Sequence, residues 1–175
     1  MKILSFLMLF IGTLVIKSCK KDDVNIADST LETSTNYLVF GYVGLGRVCG
    51  ANVIYKIENG KLYADTSKIF CKNQENYSFS GYQLPESEYN KAKVFVTNFP
   101  VELANEKSKT FGCPGCADGG MLFIQLKTKG QELKTWRIDD AVFRSENDTV
   151  NQPFPKYLSV YGQKIGEIIS EIKYN

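Results

Sequence analysis

The distribution of apolar and polar residues divides the chain into three parts. After a short basic start, a nearly unbroken apolar run extends to Ile16. Residues 20–36 are rich in Ser, Thr, Asp and Asn and have no sustained apolar period, which is typical of a flexible tether. Beyond them, apolar residues recur with strand-like and helix-like spacing. The pattern predicts a leader at 1–18, a tether at 19–36 and a single globular domain at 37–175.

A β-hairpin is the sharpest structural prediction within the domain. Asn59-Gly60 lies between two alternating segments, and a type I′ turn needs positive φ at both of its central residues. Pairing outward from this turn places an opposite-charge pair beside it and apolar partners behind it. The predicted pairs are Glu58 with Lys61, Ile57 with Leu62, Lys56 with Tyr63 and Tyr55 with Ala64.

Further strands are predicted on either side of this hairpin in the sequence. Residues 36–43 are β-rich and apolar enough for a buried strand. Residues 121–127 and 132–138 resemble a second hairpin around Lys129-Gly130.

Helices are predicted in the middle and at the end of the domain. Leu84-Pro85 begins a helix that Pro100 ends, and Pro100 itself begins a short second helix. The C-terminal helix carries a stripe of apolar residues at helical spacing, more typical of a helix docked on a sheet than of one on a lipid surface. The stripe consists of Tyr161, Ile165, Ile168 and Ile172. The predicted class is α+β, with a small, mainly antiparallel sheet on which the middle helix and the C-terminal amphipathic helix pack.

The leader ends at a cysteine. Its apolar run is too short to cross a bilayer comfortably, since a spanning helix needs roughly 20 apolar residues. An ordinary secretory signal is the alternative, but no small-x-small cleavage site stands out upstream of Lys17. The segment from Ile16 to Cys19 resembles the lipobox of bacterial lipoproteins, with Lys17 standing where a small or apolar residue is usual. The resemblance implies that Cys19 carries acyl chains and becomes the new N-terminus.

The residues after Cys19 carry a second resemblance. Cys19-Lys20-Lys21-Asp22-Asp23 is similar to the pattern that sends Bacteroidota lipoproteins to the cell surface. It implies an outer-membrane lipoprotein at the cell surface, with Lys21, Asp22 and Asp23 as the export signal. The alternative is a solvated charge cluster at the start of the tether.

Charge and composition exclude several function classes. Removal of the leader takes away Lys2 and Lys17, so 19 basic residues balance 19 acidic residues in the mature chain. A nucleic-acid partner is therefore not expected, because it needs a clustered positive surface. The chain has no histidine. This excludes Ser-His-Asp and Cys-His catalysis and histidine-ligated zinc.

Four cysteines remain in the domain, namely Cys49, Cys71, Cys113 and Cys116. An even number in an oxidising compartment favours two disulfides, for which three pairings exist. Extending the hairpin register places Cys49 opposite Phe70, so a single bulge would bring it to Cys71. This favours Cys49 with Cys71 and leaves Cys113 with Cys116.

The segment Cys113-Pro114-Gly115-Cys116 supports three interpretations. A redox-active pair is one, although the sequence after it reads as a turn and a strand rather than a helix. A zinc site completed by Cys49 and Cys71 is the second. The favoured interpretation is a structural disulfide loop before the second hairpin, and we predict no metal and no cofactor. Residues 113–120 also resemble a Cys-Pro-x-Cys-Ala-Asp-Gly-Gly motif of uncharacterised Bacteroidota lipoproteins, which implies fold and family without an activity.

Three functions remain open. The leading hypothesis is a non-enzymatic surface lipoprotein, held to the membrane by its lipid anchor, whose domain binds an envelope protein or glycan. The second is a thiol-disulfide redox protein that uses Cys113 and Cys116. The third is a carboxylate-based hydrolase using Asp118, Asp139 and Asp140, because paired acids can run acid–base chemistry without histidine. The simpler prediction for Asp139 and Asp140 is that they cap the end of the second hairpin or the next turn.

Overall fold

Six strands form one sheet in the order β3-β2-β1-β5-β6-β4. The computed structural model describes residues 34–45, 52–67, 77–79, 82–116, 119–144 and 154–173. The strands are β1 (Thr35–Gly44), β2 (Val53–Glu58), β3 (Lys61–Ala64), β4 (Lys109–Phe111), β5 (Gly120–Thr128) and β6 (Lys134–Asp139). Neighbouring strands are antiparallel except β4 and β6, which are parallel. The predicted α+β class with a mainly antiparallel sheet is confirmed.

The first hairpin has the predicted register in all four pairs, from Glu58 with Lys61 to Tyr55 with Ala64. Asn59 and Gly60 have φ angles of 51° and 70°. These are the two positive values that a type I′ turn requires. The continuation of this register to Cys49 and Cys71 lies outside the described residues.

Strand β1 lies at the centre of the sheet, paired with β2 on one side and β5 on the other. Leu38 and Phe40 are buried on one face, and Val39 and Val43 on the opposite face. Burial on both faces explains why this segment is apolar without alternation. The pairing with β5 shifts register between Thr35 and Tyr37, which makes a β-bulge at the start of the strand.

Three of the described helices begin directly after a proline. The helices are α1 (Glu86–Ala92), α2 (Val94–Thr97), α3 (Val101–Asn105), a 3₁₀ helix (Asp140–Phe143) and α4 (Lys156–Glu171). Pro85, Pro100 and Pro155 occupy the positions just before α1, α3 and α4. There the fixed φ of proline suits the helix entrance. The predicted middle helix is present as two segments, because a turn at Lys93 separates α1 from α2.

The helices cover one face of the sheet. The predicted stripe of α4 is buried, with Tyr161, Ile165, Ile168 and Ile172 no more than 7% exposed. Its residues share one core cluster with Phe95 of α2 and Trp136 of β6. The Tyr161 hydroxyl donates to the Phe95 carbonyl at 2.8 Å, and the Trp136 indole N–H to the Lys107 carbonyl at 3.1 Å. Helix α4 is therefore docked on the sheet, as predicted.

The opposite face carries a smaller apolar cluster that includes Ile54 and Phe123. Tyr77 and Phe79 pack against it, and the Tyr77 hydroxyl donates to Oε1 of the buried Gln125. The buried Asp65 holds this segment in place by accepting a 2.7 Å hydrogen bond from the Ser78 backbone N–H. Among the described residues, no helix is long and apolar enough to span a membrane.

Candidate functional site

The two cysteines of the Cys-Pro-Gly-Cys segment lie on the loop between β4 and β5. The structure joins Cys113 and Cys116 as a disulfide with a Cα–Cα distance of 5.5 Å, and both residues are exposed. The Cys116 N–H donates to the Cys113 carbonyl at 3.0 Å. Gly112 and Gly115 have φ angles of +71° and +77°, a region that L side chains rarely adopt. The glycines therefore permit the tight path that this loop takes.

Asp139 and Asp140 brace this loop from the end of β6. The Asp139 carboxylate accepts the Cys113 N–H at 3.1 Å and the Ala141 N–H at 2.9 Å. The Asp140 carboxylate accepts the Gly120 N–H at 2.6 Å, where β5 begins. The predicted capping role is confirmed for Asp139, which caps the 3₁₀ helix. The contacts of the two aspartates with the cysteine loop and with β5 were not predicted.

The contacts of Asp139 and Asp140 do not favour the hydrolase hypothesis. Three of the four carboxylate oxygens of Asp139 and Asp140 accept backbone N–H groups. A carboxylate that holds backbone amides supports the scaffold and is less available for proton transfer to a substrate. The third candidate, Asp118, lies outside the described residues.

The zinc alternative needs four thiolate ligands brought together. No group of three or more potential metal ligands comes together in the part of the chain that the structure describes. Cys49 and Cys71, which would complete a Cys₄ site, lie outside that part. The same holds for the predicted lipidation site Cys19 and for the export signal at Lys21, Asp22 and Asp23.

A cavity of about 530 Å³ opens between α4 and the sheet. It lies near the β4–β5 loop that Asp139 braces, here called the braced loop. Its walls are mainly apolar, with polar side chains of α4 along one side. The lining residues are Tyr42, Val53, Phe143, Gln163, Gly166, Glu167, Ile169 and Ser170.

Tyr42 connects this cavity with the braced loop. Its ring lies 6.0 Å from that of Phe143, and its hydroxyl end packs against the backbone of Gly120. Burial, and to a smaller extent the negative charge of Asp140, raise the pKa of the Tyr42 phenol above its ordinary value. The disulfide loop, the aspartates and the cavity therefore form one continuous region.

Sequence reasoning missed Tyr42, Phe143 and the cavity that they line. The sequence carried one signal of close packing in this region. Gly162 and Gly166 are spaced by four residues on α4. A Cβ at either position would lie less than 3 Å from Val142 or Phe143 of the 3₁₀ helix. Small residues at this spacing indicate that another element approaches the helix closely.

Comparison with known proteins leaves the family of the chain unassigned. No family model matches it, and neither a curated protein nor a solved structure does. The functional argument therefore rests on the residues of this chain and their geometry, because a fold alone does not specify an activity.

Proposed function

We propose that this protein is a lipid-anchored cell-envelope protein whose domain binds another envelope component, protein or glycan, without catalysing a reaction. The anchor is inferred from the apolar leader that ends at Cys19 and from the polar tether behind it. The observation that favours a binding role is that the candidate catalytic groups are engaged in structural contacts within the protein. Asp139 and Asp140 hold backbone amides, and Cys113 is bonded to Cys116.

Because these groups are bonded to other parts of the protein, they favour a structural scaffold over an active site. General acid–base catalysis needs a side chain within hydrogen-bond reach of a reacting proton. Here the carboxylates instead connect the β4–β5 loop, the start of β5 and the 3₁₀ helix. A rigid loop region of this kind suits recognition, since binding residues held in place lose less entropy when a partner binds.

The anchor is tested by metabolic labelling with radioactive palmitate in the expressing bacterium. Wild-type protein should incorporate label and sediment with membranes, whereas Cys19→Ala should do neither. The control is the double variant Cys113→Ala, Cys116→Ala, which should be labelled like the wild type. Equal labelling of Cys19→Ala, or its full retention in membranes, would count decisively against the lipid anchor.

The binding role is tested by hydrogen–deuterium exchange of the full lipidated chain in nanodiscs. Solubilised envelope glycan and detergent-extracted envelope proteins are added separately. Protection of a contiguous surface by one of them is expected. Unchanged exchange with both would argue against a binding module.

A redox role is the second candidate, because both cysteines of the disulfide are exposed. In that role a dithiol partner would give up two electrons and two protons, reducing the Cys113–Cys116 bond to two thiols while becoming a disulfide itself. The test combines thiol titration of the purified chain with an insulin-reduction assay, with Cys113→Ser, Cys116→Ser as the inactive control. Cysteines that resist mild reductant, with no turnover, would leave only the structural role.

A further inference from the structure

The tether reaches the domain at one end of the sheet. Strand β1 begins there with Thr35, which pairs with Thr128 at the end of β5. The Lys129 N–H donates to the Ser34 carbonyl at 2.8 Å, so the start of the domain is held beside the β5–β6 turn.

Several other segments lie at the same end of the sheet. The strand registers bring the β2–β3 turn there, and residues 106–108 lead into β4 beside the start of β6. The start of α3 is also there, because Val101 lines a pocket of about 330 Å³ with Ser34, Lys129 and Lys134. The end of α1 is near it, since Lys93 lines a pocket with Thr35. We call the surface formed by these segments the tether end.

Two large apolar side chains are exposed at the tether end. Val101 is 51% exposed and Leu133 is 42% exposed. Single exposed apolar residues are ordinary, but Val101 lines a pocket with Lys134, the neighbour of Leu133, so the two belong to one surface. Val53 and Val160, the other exposed large apolar residues among those described, lie elsewhere, at the opposite end of β2 and on α4.

Positive charge predominates on the same surface. Six lysines of the tether end form no ion pair with a described residue, against three such glutamates. Glu58 and Glu106 also lie there but are paired with Lys56 and Lys109. The six lysines are Lys61, Lys93, Lys107, Lys127, Lys129 and Lys134, and the three glutamates are Glu86, Glu102 and Glu132.

We propose that the tether end docks on the anionic lipid surface of the membrane that holds the anchor. Val101 and Leu133 enter the headgroup region, and the lysines lie over lipid phosphates. Binding at a membrane surface depends on this combination of apolar area and attraction between basic side chains and anionic lipids. The inference rests on the proposed lipid anchor and adds the side of the domain that faces the membrane.

The tether makes a weak contact sufficient. The 15 residues from Cys19 to Thr33 span at most about 50 Å, so the domain stays close to the surface. A short linker gives an effective concentration on the order of 1 mM, at which a contact with a millimolar dissociation constant is occupied about half of the time. Docking at this end would direct the cavity beside Tyr42 and the disulfide loop away from the membrane, where a partner can reach them.

The first experiment compares hydrogen–deuterium exchange of the full lipidated chain in two kinds of nanodisc. One contains phosphatidylcholine alone and the other a mixture with anionic phosphatidylglycerol. Peptides over residues 101–105 and 129–133 should exchange about twofold more slowly on the anionic discs, whereas the disulfide loop should exchange equally on both. Salt at about 1 M, which screens charges beyond about 3 Å, should remove the difference. Equal exchange at the tether end in both lipids, or slower exchange at the disulfide loop instead, would overturn the proposal.

Substitutions of exposed residues provide the second experiment. Leu133→Asn and Lys129→Glu should each abolish the slower exchange on anionic discs. Their matched controls are Val160→Asn, an exposed apolar residue of α4, and Arg144→Glu, an exposed basic residue behind the 3₁₀ helix, and both should retain it. Controls that lose the effect to the same extent would contradict the assignment.

The failure of the anchor and the failure of the docking surface give different results. Wild-type protein without palmitate label would refute the anchor and the docking with it. Normal labelling without lipid-dependent protection would refute the docking alone. Protection of the tether end that appears only after envelope proteins are added would assign this surface to a protein and overturn the membrane proposal.

Discussion

Asp139 stabilises a loop and a helix through one side chain. One oxygen accepts the N–H of Cys113 and the other accepts the N–H of Ala141. Both donors would lose a charged acceptor without it, and hydrogen bonds to charged groups stabilise more than neutral ones. The residue is therefore a structural clamp between the disulfide loop and the 3₁₀ helix.

The substitution Asp139→Asn should lower the free energy of unfolding by about 1–3 kcal/mol. An amide has only one acceptor oxygen, so one of the two N–H groups would face an NH₂ group instead. Chemical denaturation at neutral pH measures the effect. Glu132→Gln is the control, since Glu132 is exposed. A variant as stable as that control would show that the clamp contributes nothing.

For these single residues, the sequence predicted a capping role of Asp139 and Asp140 but not the backbone groups that they contact. Asp139 and Cys113 are 26 residues apart. A contact over such a distance depends on how β4, β5 and β6 are ordered in the sheet. Local turn chemistry can predict that an aspartate caps, whereas the amide it reaches across the fold is set by tertiary structure.

Among the elements, α4 shows how close packing depends on glycine. Gly162 and Gly166 leave room for the side chains of Val142 and Phe143. The 3₁₀ helix that carries these side chains thus lies directly against α4. Phe143 and Gly166 also line the large cavity, so the close packing shapes its wall.

The substitution Gly162→Ala should destabilise the protein, although alanine favours a helix over glycine by about 1 kcal/mol. The added Cβ would lie 2.6 Å from a methyl carbon of the buried Val142. Overpacking of this kind typically costs about 1–3 kcal/mol and outweighs the gain. Thermal unfolding measures the change, with Lys164→Ala on the exposed face of α4 as the control. A melting temperature above that of the wild type would refute the packing argument.

The elements that the sequence predicted well are those with strong local sequence patterns. The first hairpin was predicted to the residue pair, because Asn59-Gly60 specifies both the turn and the register. Strand β4 was not predicted, since three residues with two exposed side chains carry no period. Its pairing with β6 is parallel and comes from the return path of the chain. The cavity was also missed, because four separate elements, β1, β2, the 3₁₀ helix and α4, form it.

For the whole molecule, Glu88 connects two distant parts of the chain. It lies near the start of α1, and its carboxylate accepts the backbone N–H of Lys173, 85 residues away, at 3.0 Å. The same carboxylate pairs with Lys91 at 2.9 Å, and the Glu88 side chain is only 8% exposed. The contact therefore holds the end of the C-terminal helix against the middle helix.

Acidification should weaken this connection. The hydrogen bond with Lys91 and, next, the backbone N–H of Lys173 lower the pKa of Glu88 below its ordinary value of 4.5. The unfolded chain therefore binds a proton at this site more readily than the folded protein does. The stabilisation by Glu88 is complete above about pH 4.5 and is lost as the pH falls through the lower folded-state pKa.

The variant Glu88→Gln should accordingly be less stable than the wild type at pH 7, by about 1–3 kcal/mol, because a charged acceptor is lost. The difference between the two proteins should shrink as the pH is lowered from 4.5, since the wild-type carboxyl then also loses its charge. Melting temperatures measured from pH 7 to pH 3 test this, with Glu167→Gln as the control. Glu167 forms an exposed pair with Lys164 and should alter the curve little. Wild-type and Glu88→Gln curves that stay parallel down to pH 3 would mean that Glu88 gains no stability from its charge.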